Sequence, residues 1–130
     1  MAKYQVFDPW NQGPRYTFSS AVKKGNMLFI SGMTAGDPRT GKLVGEGDIA
    51  AQTRFIYQKM EEILKAAGAP FDDVVKTVDY ITTMGNYKET AKVRREFFRN
   101  GFSAATGVVV KRLLREGALI EIDAIAVLDT

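Results

Sequence analysis

The chain has 130 residues, 45% hydrophobic and 25% charged, with a formal charge of +3; this is the profile of one globular domain over 1–130, and its dispersed basic residues form no nucleic-acid stripe. Cysteine and histidine are both absent, which excludes disulfides, thiol nucleophiles, thiolate metal sites and the usual general base. No apolar run approaches the ~20 residues a membrane span needs, and the N-terminus lacks a signal-peptide h-region, so the cytoplasm is the expected compartment, with neither membrane nor nucleic acid as a partner.

Taken in order, residues 4–8 read as a short strand and Asn11-Gln12-Gly13-Pro14-Arg15 as a loop. Phe18 to Lys24 and Met27 to Thr34 read as strands joined at the hairpin signal Gly25-Asn26. Asp48 is placed to cap a helix from Ile49 to about Ala67, stopped by Gly68 and Pro70. Ile49, Ile56, Met60, Ile63, Leu64 and Ala67 keep helical spacing on its docking face. Asp72-Asp73 resembles a metal motif only superficially. Val74 to Thr82 is β-branched and reads as a strand. Asn86-Tyr87-Lys88-Glu89 has the form of a capping box, opening a second helix to Arg99. Thr106 to Arg112 and Leu119 to Leu128 complete the elements.

The order β-β-β-α-β-α-β-β makes an α+β domain, a mixed sheet with two helices on one face. The other face keeps apolar residues such as Val108 and Val110, and a closed oligomer is the simplest way to cover them. The last strand alternates strictly. Ile120, Ile122, Ala124, Ala126 and Leu128 share one face, and Leu119, Glu121, Asp123, Ile125 and Val127 the other. Two carboxylates among apolar neighbours must be paired, hydrogen-bonded or shifted in pKa. Asp123 is as readily part of a salt-bridge ladder as of a site, whereas Glu121 is the leading acid–base candidate.

Four segments carry a resemblance to the RidA (YjgF) family, deaminases of reactive enamines and imines. They are Gly25-Asn26-Met27-Leu28-Phe29-Ile30-Ser31-Gly32, Asp48-Ile49-Ala50-Ala51-Gln52-Thr53-Arg54, Ala66 to Thr77, and Ile120-Glu121-Ile122-Asp123-Ala124-Ile125-Ala126. The resemblance implies a chorismate-mutase-like subunit, a homotrimer, no cofactor or metal, and small-molecule clefts between subunits. Glu121 matches the family glutamate and would be the general base. Ala105 stands where the family has a carboxylate-binding arginine, Phe18 where it has tyrosine, Ala91 where it has asparagine and Gly107 where cysteine is common. A methyl group makes no bidentate carboxylate contact, so small imino acids are expected to be poor substrates.

Around Glu121 the expected contacts follow from the same frame. Arg15 is the candidate replacement anion clamp, beside Tyr16 in the loop. Tyr87 and Trp10 are candidates to stack on a planar ligand. Phe18 packs on ligand or core, Ser31 and Thr34 offer hydrogen bonds, and Ala105, Thr106 and Gly107 line the cleft. The small residues point to a wide pocket for a ring-derived or aromatic amine, as in aminomuconate deaminases and hydroxylaminobenzoate lyases. The other expectation is a non-catalytic ligand-binding or protein-protecting trimer that kept the fold without the chemistry.

Overall fold

The computed structural model describes residues 3–129. Its strands are β1 (Gln5–Phe7), β2 (Ala21–Lys24), β3 (Met27–Met33), β4 (Val74–Ile81), β5 (Ala104–Val109) and β6 (Ile120–Val127), with helices α1 (Ile49–Ala66) and α2 (Thr90–Phe97). The strands form one mixed sheet in the order β1-β2-β3-β6-β4-β5. All neighbours are antiparallel except β4 and β5, whose parallel pairing needs the crossover that α2 provides.

Strand β6 lies at the centre because its period-2 pattern suits it. Ile120, Ile122, Ala124 and Ala126 are buried beneath the helices. The intervening Glu121, Asp123, Ile125 and Val127 turn to the open face and are half-buried. Helix α1 covers the sheet with Ile56, Tyr57, Met60, Ile63 and Leu64. Burying such a side chain contributes about 1.5–3 kcal/mol. The Asp48 carboxylate caps the helix, accepting the Ala51 N–H at 3.0 Å. At the other end Gly68 takes φ +75°, the left-handed turn a side chain resists, and the Ala69 N–H closes on the Leu64 carbonyl at 2.8 Å.

Two buried polar residues of α1 tie loops to this frame. The Gln52 amide donates to the carbonyls of Gly45 and Gly117 and accepts the Leu119 N–H at 2.8 Å, which fixes the entry to β6. The Lys59 ammonium donates to the carbonyls of Thr34 and Gly36 at 2.7 and 2.8 Å, and burial pulls its pKa down to about 8.

Several boundaries differ from the sequence reading. Strand β2 starts at Ala21 rather than Phe18: its register with β3 begins at Ala21 opposite Ile30, and before it only the Ser20 carbonyl reaches β3, accepting the Ser31 N–H at 3.0 Å. Strand β5 runs over Ala104–Val109 rather than Thr106 to Arg112, since its register is set by β4, from Lys76 opposite Ala104 to Ile81 opposite Val109. The capping box at Asn86 does not form. Asn86 adopts φ +60°, makes no side-chain cap bond and leads into a single 3-10 turn, Tyr87–Glu89, before α2. That helix ends at Phe97, where Phe98 turns inward against Phe71. In the single chain the face away from the helices exposes Met27, Phe29 and Val108.

Candidate active site

Glu121 and Asp123 lie on the open face of β6, opposite Tyr80 and Val78 of β4. The Tyr80 hydroxyl donates to Asp123 at 2.9 Å, so Asp123 is held by a phenol and not by a salt-bridge ladder. Among the described residues, no donor lies within hydrogen-bonding distance of the Glu121 carboxylate and no cation within ion-pairing distance. Burial first, and the charge of Asp123 second, push the Glu121 carboxyl above the ordinary glutamate range.

The place for Glu121 is made by β3. Between Ile30, opposite Ala124, and Met33, opposite Ile122, β3 takes three steps against two on β6. This bulge brings Gly32 under the carboxylate, where a Cβ would collide with the Glu121 side chain. The preceding Ser31 fastens the edge, donating its hydroxyl to the Ser19 carbonyl at 2.6 Å. An open cleft of about 650 Å³ ends at Ser31, walled by Tyr4, Tyr16, Phe18, Val22 and Phe29. Tyr16 and Phe18 stack on each other, ring centres 5.2 Å apart. Arg15 is exposed beside this cleft, with its guanidinium over the Tyr16 ring at 5.6 Å.

A second polar group lies on the helix side of the sheet. Thr77, Asp79 and Ile81 of β4 face the helices, and their β5 neighbours are Ala105, Gly107 and Val109. The Tyr87 hydroxyl donates to Asp79 at 2.7 Å, and the Arg94 guanidinium lies 3.6 Å from the same carboxylate oxygen. Arg94 also donates to the Thr90 hydroxyl at 2.7 Å, and Thr90 in turn donates to the Tyr87 carbonyl. Burial pushes the Asp79 carboxyl up, opposed by the Tyr87 hydrogen bond and by Arg94. Burial, then the bond to Asp79, pushes the Tyr87 phenol up to about 12. A Cβ on Gly107 would lie 3.3 Å from the Tyr87 hydroxyl, so the absent side chain lets the phenol approach β5.

The residues singled out in the sequence therefore fall into two groups. Glu121, Ser31, Tyr16 and Phe18 gather on or beside the open face. Tyr87, Ala105 and Gly107 lie on the helix side. Thr106 turns to the open face, where it accepts a hydrogen bond from the Lys76 ammonium at 2.7 Å. Thr34 lends its carbonyl to Lys59, and Trp10 is tied by its indole N–H to Glu62 at 3.2 Å. The sequence reading did not single out Gly32 or Asp79. The signal for Asp79 was available: it shares the period-2 face of Thr77 and Ile81, so a charge had to be accommodated in the core.

This arrangement matches a known family. The model described as "Endoribonuclease L-PSP" covers residues 11–128, and the chain belongs to that family, also called RidA or YjgF. A RutC family protein of Pyrococcus horikoshii is 41% identical over 109 residues, 84% of this chain and 85% of that protein. The human 2-iminobutanoate/2-iminopropanoate deaminase is 34% identical over 110 residues, 85% of this chain and 79% of that protein. Among solved structures, a Thermotoga maritima protein titled a putative endoribonuclease superposes with a TM-score of 0.87 at 34% identity, covering 100% of both chains.

Proposed function

We propose that the protein is a cofactor-free deaminase-type enzyme, a hydrolase or lyase releasing ammonia from a nitrogen-bearing small molecule, with Glu121 as its general base. The observation that carries this reading is the Glu121 carboxylate itself. It is half-buried, free of hydrogen bonds among the described residues, raised by its surroundings, and set against Gly32, the β3 neighbour of Ser31 in the wall of an aromatic cleft. A structural carboxylate would be expected to satisfy its oxygens within the protein. A base poised for water keeps them open. The name of the human relative, a deaminase of 2-imino acids, supports the same class of reaction.

In the proposed step, Glu121 takes a proton from water as the oxygen attacks the C=N carbon. That proton passes to nitrogen to give a carbinolamine; Glu121 then moves the carbinol O–H proton to the amine as the C–N bond breaks, so that an imine plus water becomes a carbonyl compound plus ammonia. A ring-derived or aromatic amine intermediate as substrate is supported by the Tyr16, Phe18 and Phe29 walls and by the small side chains at Ala105 and Gly107. The two residue groups lie on opposite sides of one sheet, so a shared ligand needs a second copy to bring them together. A homotrimer with clefts between subunits meets that need and covers Phe29 and Val108. The test is ammonia release by wild type and Glu121→Gln from aminomuconate-like compounds, hydroxylaminoaryl compounds and 2-iminobutanoate, with sedimentation to fix the assembly. The variant should lose ~10²–10⁴-fold in turnover. Ligand binding by wild type without any ammonia release would instead assign a non-catalytic binding trimer.

A further inference from the structure

We propose that Lys59 is a positioning residue: its ammonium holds the end of β3 through the carbonyls of Thr34 and Gly36, and so fixes the Gly32 backbone against which the Glu121 carboxylate is set. The inference rests on the reading of Glu121 as the base. Its evidence lies in a different cluster, built on α1.

The chain past Gly32 needs such a hold. Strand β3 pairs with β6 as far as Met33, opposite Ile122, and then leaves the sheet. The Ala35 carbonyl accepts the Val44 N–H at 2.9 Å, within the hairpin that Gly36 and Leu43 bridge. The carbonyls on either side of it, those of Thr34 and Gly36, both go to Lys59, at 2.7 and 2.8 Å. Thr34 lies just two residues beyond Gly32, so its position limits where Gly32 can sit. The fit there is close, since even a Cβ on Gly32 would collide with the Glu121 side chain. A small shift of this backbone therefore moves the carboxylate or opens it to solvent.

The strength of this hold depends on charge. Lys59 is 6% exposed, and besides its two carbonyls it lies over the rings of Trp10 and Phe55, at 6.0 and 5.6 Å. The charged groups facing it are Glu62 from α1 itself, Asp37 from the hairpin and Arg115 from the loop before β6. Arg39, in the same hairpin, pairs with Glu62. The two carboxylates favour the ammonium, burial and Arg115 oppose it, and burial prevails, bringing the pKa down to about 8. A neutral amine still has N–H groups. Their bonds to the carbonyls lose the charge assistance, and the attraction to both rings goes with the charge. The hold on β3 is thus firm below a pH of about 8 and slack above it. Glu121 itself is shifted by burial and by Asp123. The link from Lys59 to Glu121 therefore runs through the β3 backbone and not through space.

The experiment follows two reporters through a pH titration of wild type, Lys59→Met and Lys59→Arg. One is the carboxyl NMR resonance of Glu121, assigned with Glu121→Gln. The other is the fluorescence of Trp10, the one tryptophan of the chain. The kcat and KM for ammonia release from the substrate panel are measured on the same samples. In wild type both reporters should inflect together at a pH of about 8, the Glu121 resonance after a first inflection at its own raised pKa. There kcat should fall roughly three- to ten-fold as pH rises, with KM little changed. Lys59→Met should lose the alkaline inflection in both reporters, let the Glu121 pKa drop toward the ordinary range, and keep kcat ~10–100-fold low at every pH. Lys59→Arg keeps charge and donors, so it should retain most of kcat and lose the alkaline fall. No alkaline inflection in wild type, a Trp10 inflection that leaves the Glu121 resonance unmoved, or an alkaline fall that survives in Lys59→Arg would each overturn the proposal. So would a Lys59→Met that lowers only the melting temperature, with kcat and the Glu121 pKa unchanged. If either variant melts below the assay temperature, the two reporters in wild type decide the matter in the same terms. Failure of the enzyme reading is seen separately: no ammonia from wild type, or release undiminished in Glu121→Gln, removes the base, while the coupled inflections still show Lys59 setting Glu121.

Discussion

Two carboxylates on neighbouring strands, Glu121 on β6 and Asp79 on β4, are both pushed up by burial, and the chain treats them in opposite ways. Asp79 receives a phenol and an arginine and is locked in place. Glu121 receives no donor among the described residues, and a glycine is set beneath it where any side chain would displace it. Burial alone does not make a catalytic base. Desolvation raises both groups, and the partners decide which one is left to exchange protons with a ligand and which one holds other residues still.

The sharpest way to break this comparison is to neutralise each member. Glu121→Gln keeps shape and volume, and turnover of a working substrate should fall ~10²–10⁴-fold with ligand affinity and assembly retained. Wild-type turnover by this variant would place the base elsewhere. Because its carboxyl is raised, Glu121 binds protons more readily in the folded chain than in the unfolded one. Its contribution to stability is therefore present at acid pH and lost as pH rises through the folded value. Glu121→Gln should accordingly melt no lower than wild type at pH 8, and an unfolded or dissociated variant would show that the glutamate holds the sheet together.

Next in size is Gly32→Ala. The added methyl group meets the Glu121 side chain rather than backbone. The carboxylate must move, by a distance that matters for a group in proton transfer. A loss of about 10–100-fold in kcat, with a melting temperature close to wild type, is the expected outcome. Unchanged kcat would mean that Glu121 works from another rotamer.

Asp79→Ala probes the other member and should show in stability before activity. It leaves the Tyr87 hydroxyl without its acceptor and Arg94 without its counter-charge. Because Arg94 is partly exposed, the cost is discounted to about 1–3 kcal/mol, read as a lowered urea midpoint. A midpoint equal to wild type would show that the cluster contributes nothing to the fold.

The contrast between these carboxylates was only half legible in the sequence. Glu121 could be read because β6 is central and its alternation is strict, so Ile120 and Ile122 fix the face on which Glu121 must lie. Asp48 and Gly68 were legible for the same local reason, each acting within a turn of its own helix. Asp79 was lost inside a strand read as β-branched, and its meaning depends on Tyr87 and Arg94, brought to it by the turn after β4 and by α2. The Asn86 motif misled because a left-handed residue and a 3-10 turn answered the same local pattern differently. The bulge that places Gly32 depends on register with β6, about 90 residues away in the chain, which no local pattern encodes.

The smallest effect is the most discriminating. Asp123 is the second cause of the raised Glu121 carboxyl, and the Tyr80 hydroxyl holds it there. If Glu121 works as the ionised base, activity falls as pH drops through its folded pKa, and this acid limb lies above the range of an ordinary glutamate. Asp123→Asn keeps an acceptor for Tyr80 and removes the like charge. The Glu121 pKa then falls, because ionising it no longer opposes a neighbouring anion. The acid limb of kcat should move to lower pH while the plateau changes little. An acid limb that stays in place would detach the pH dependence from Glu121.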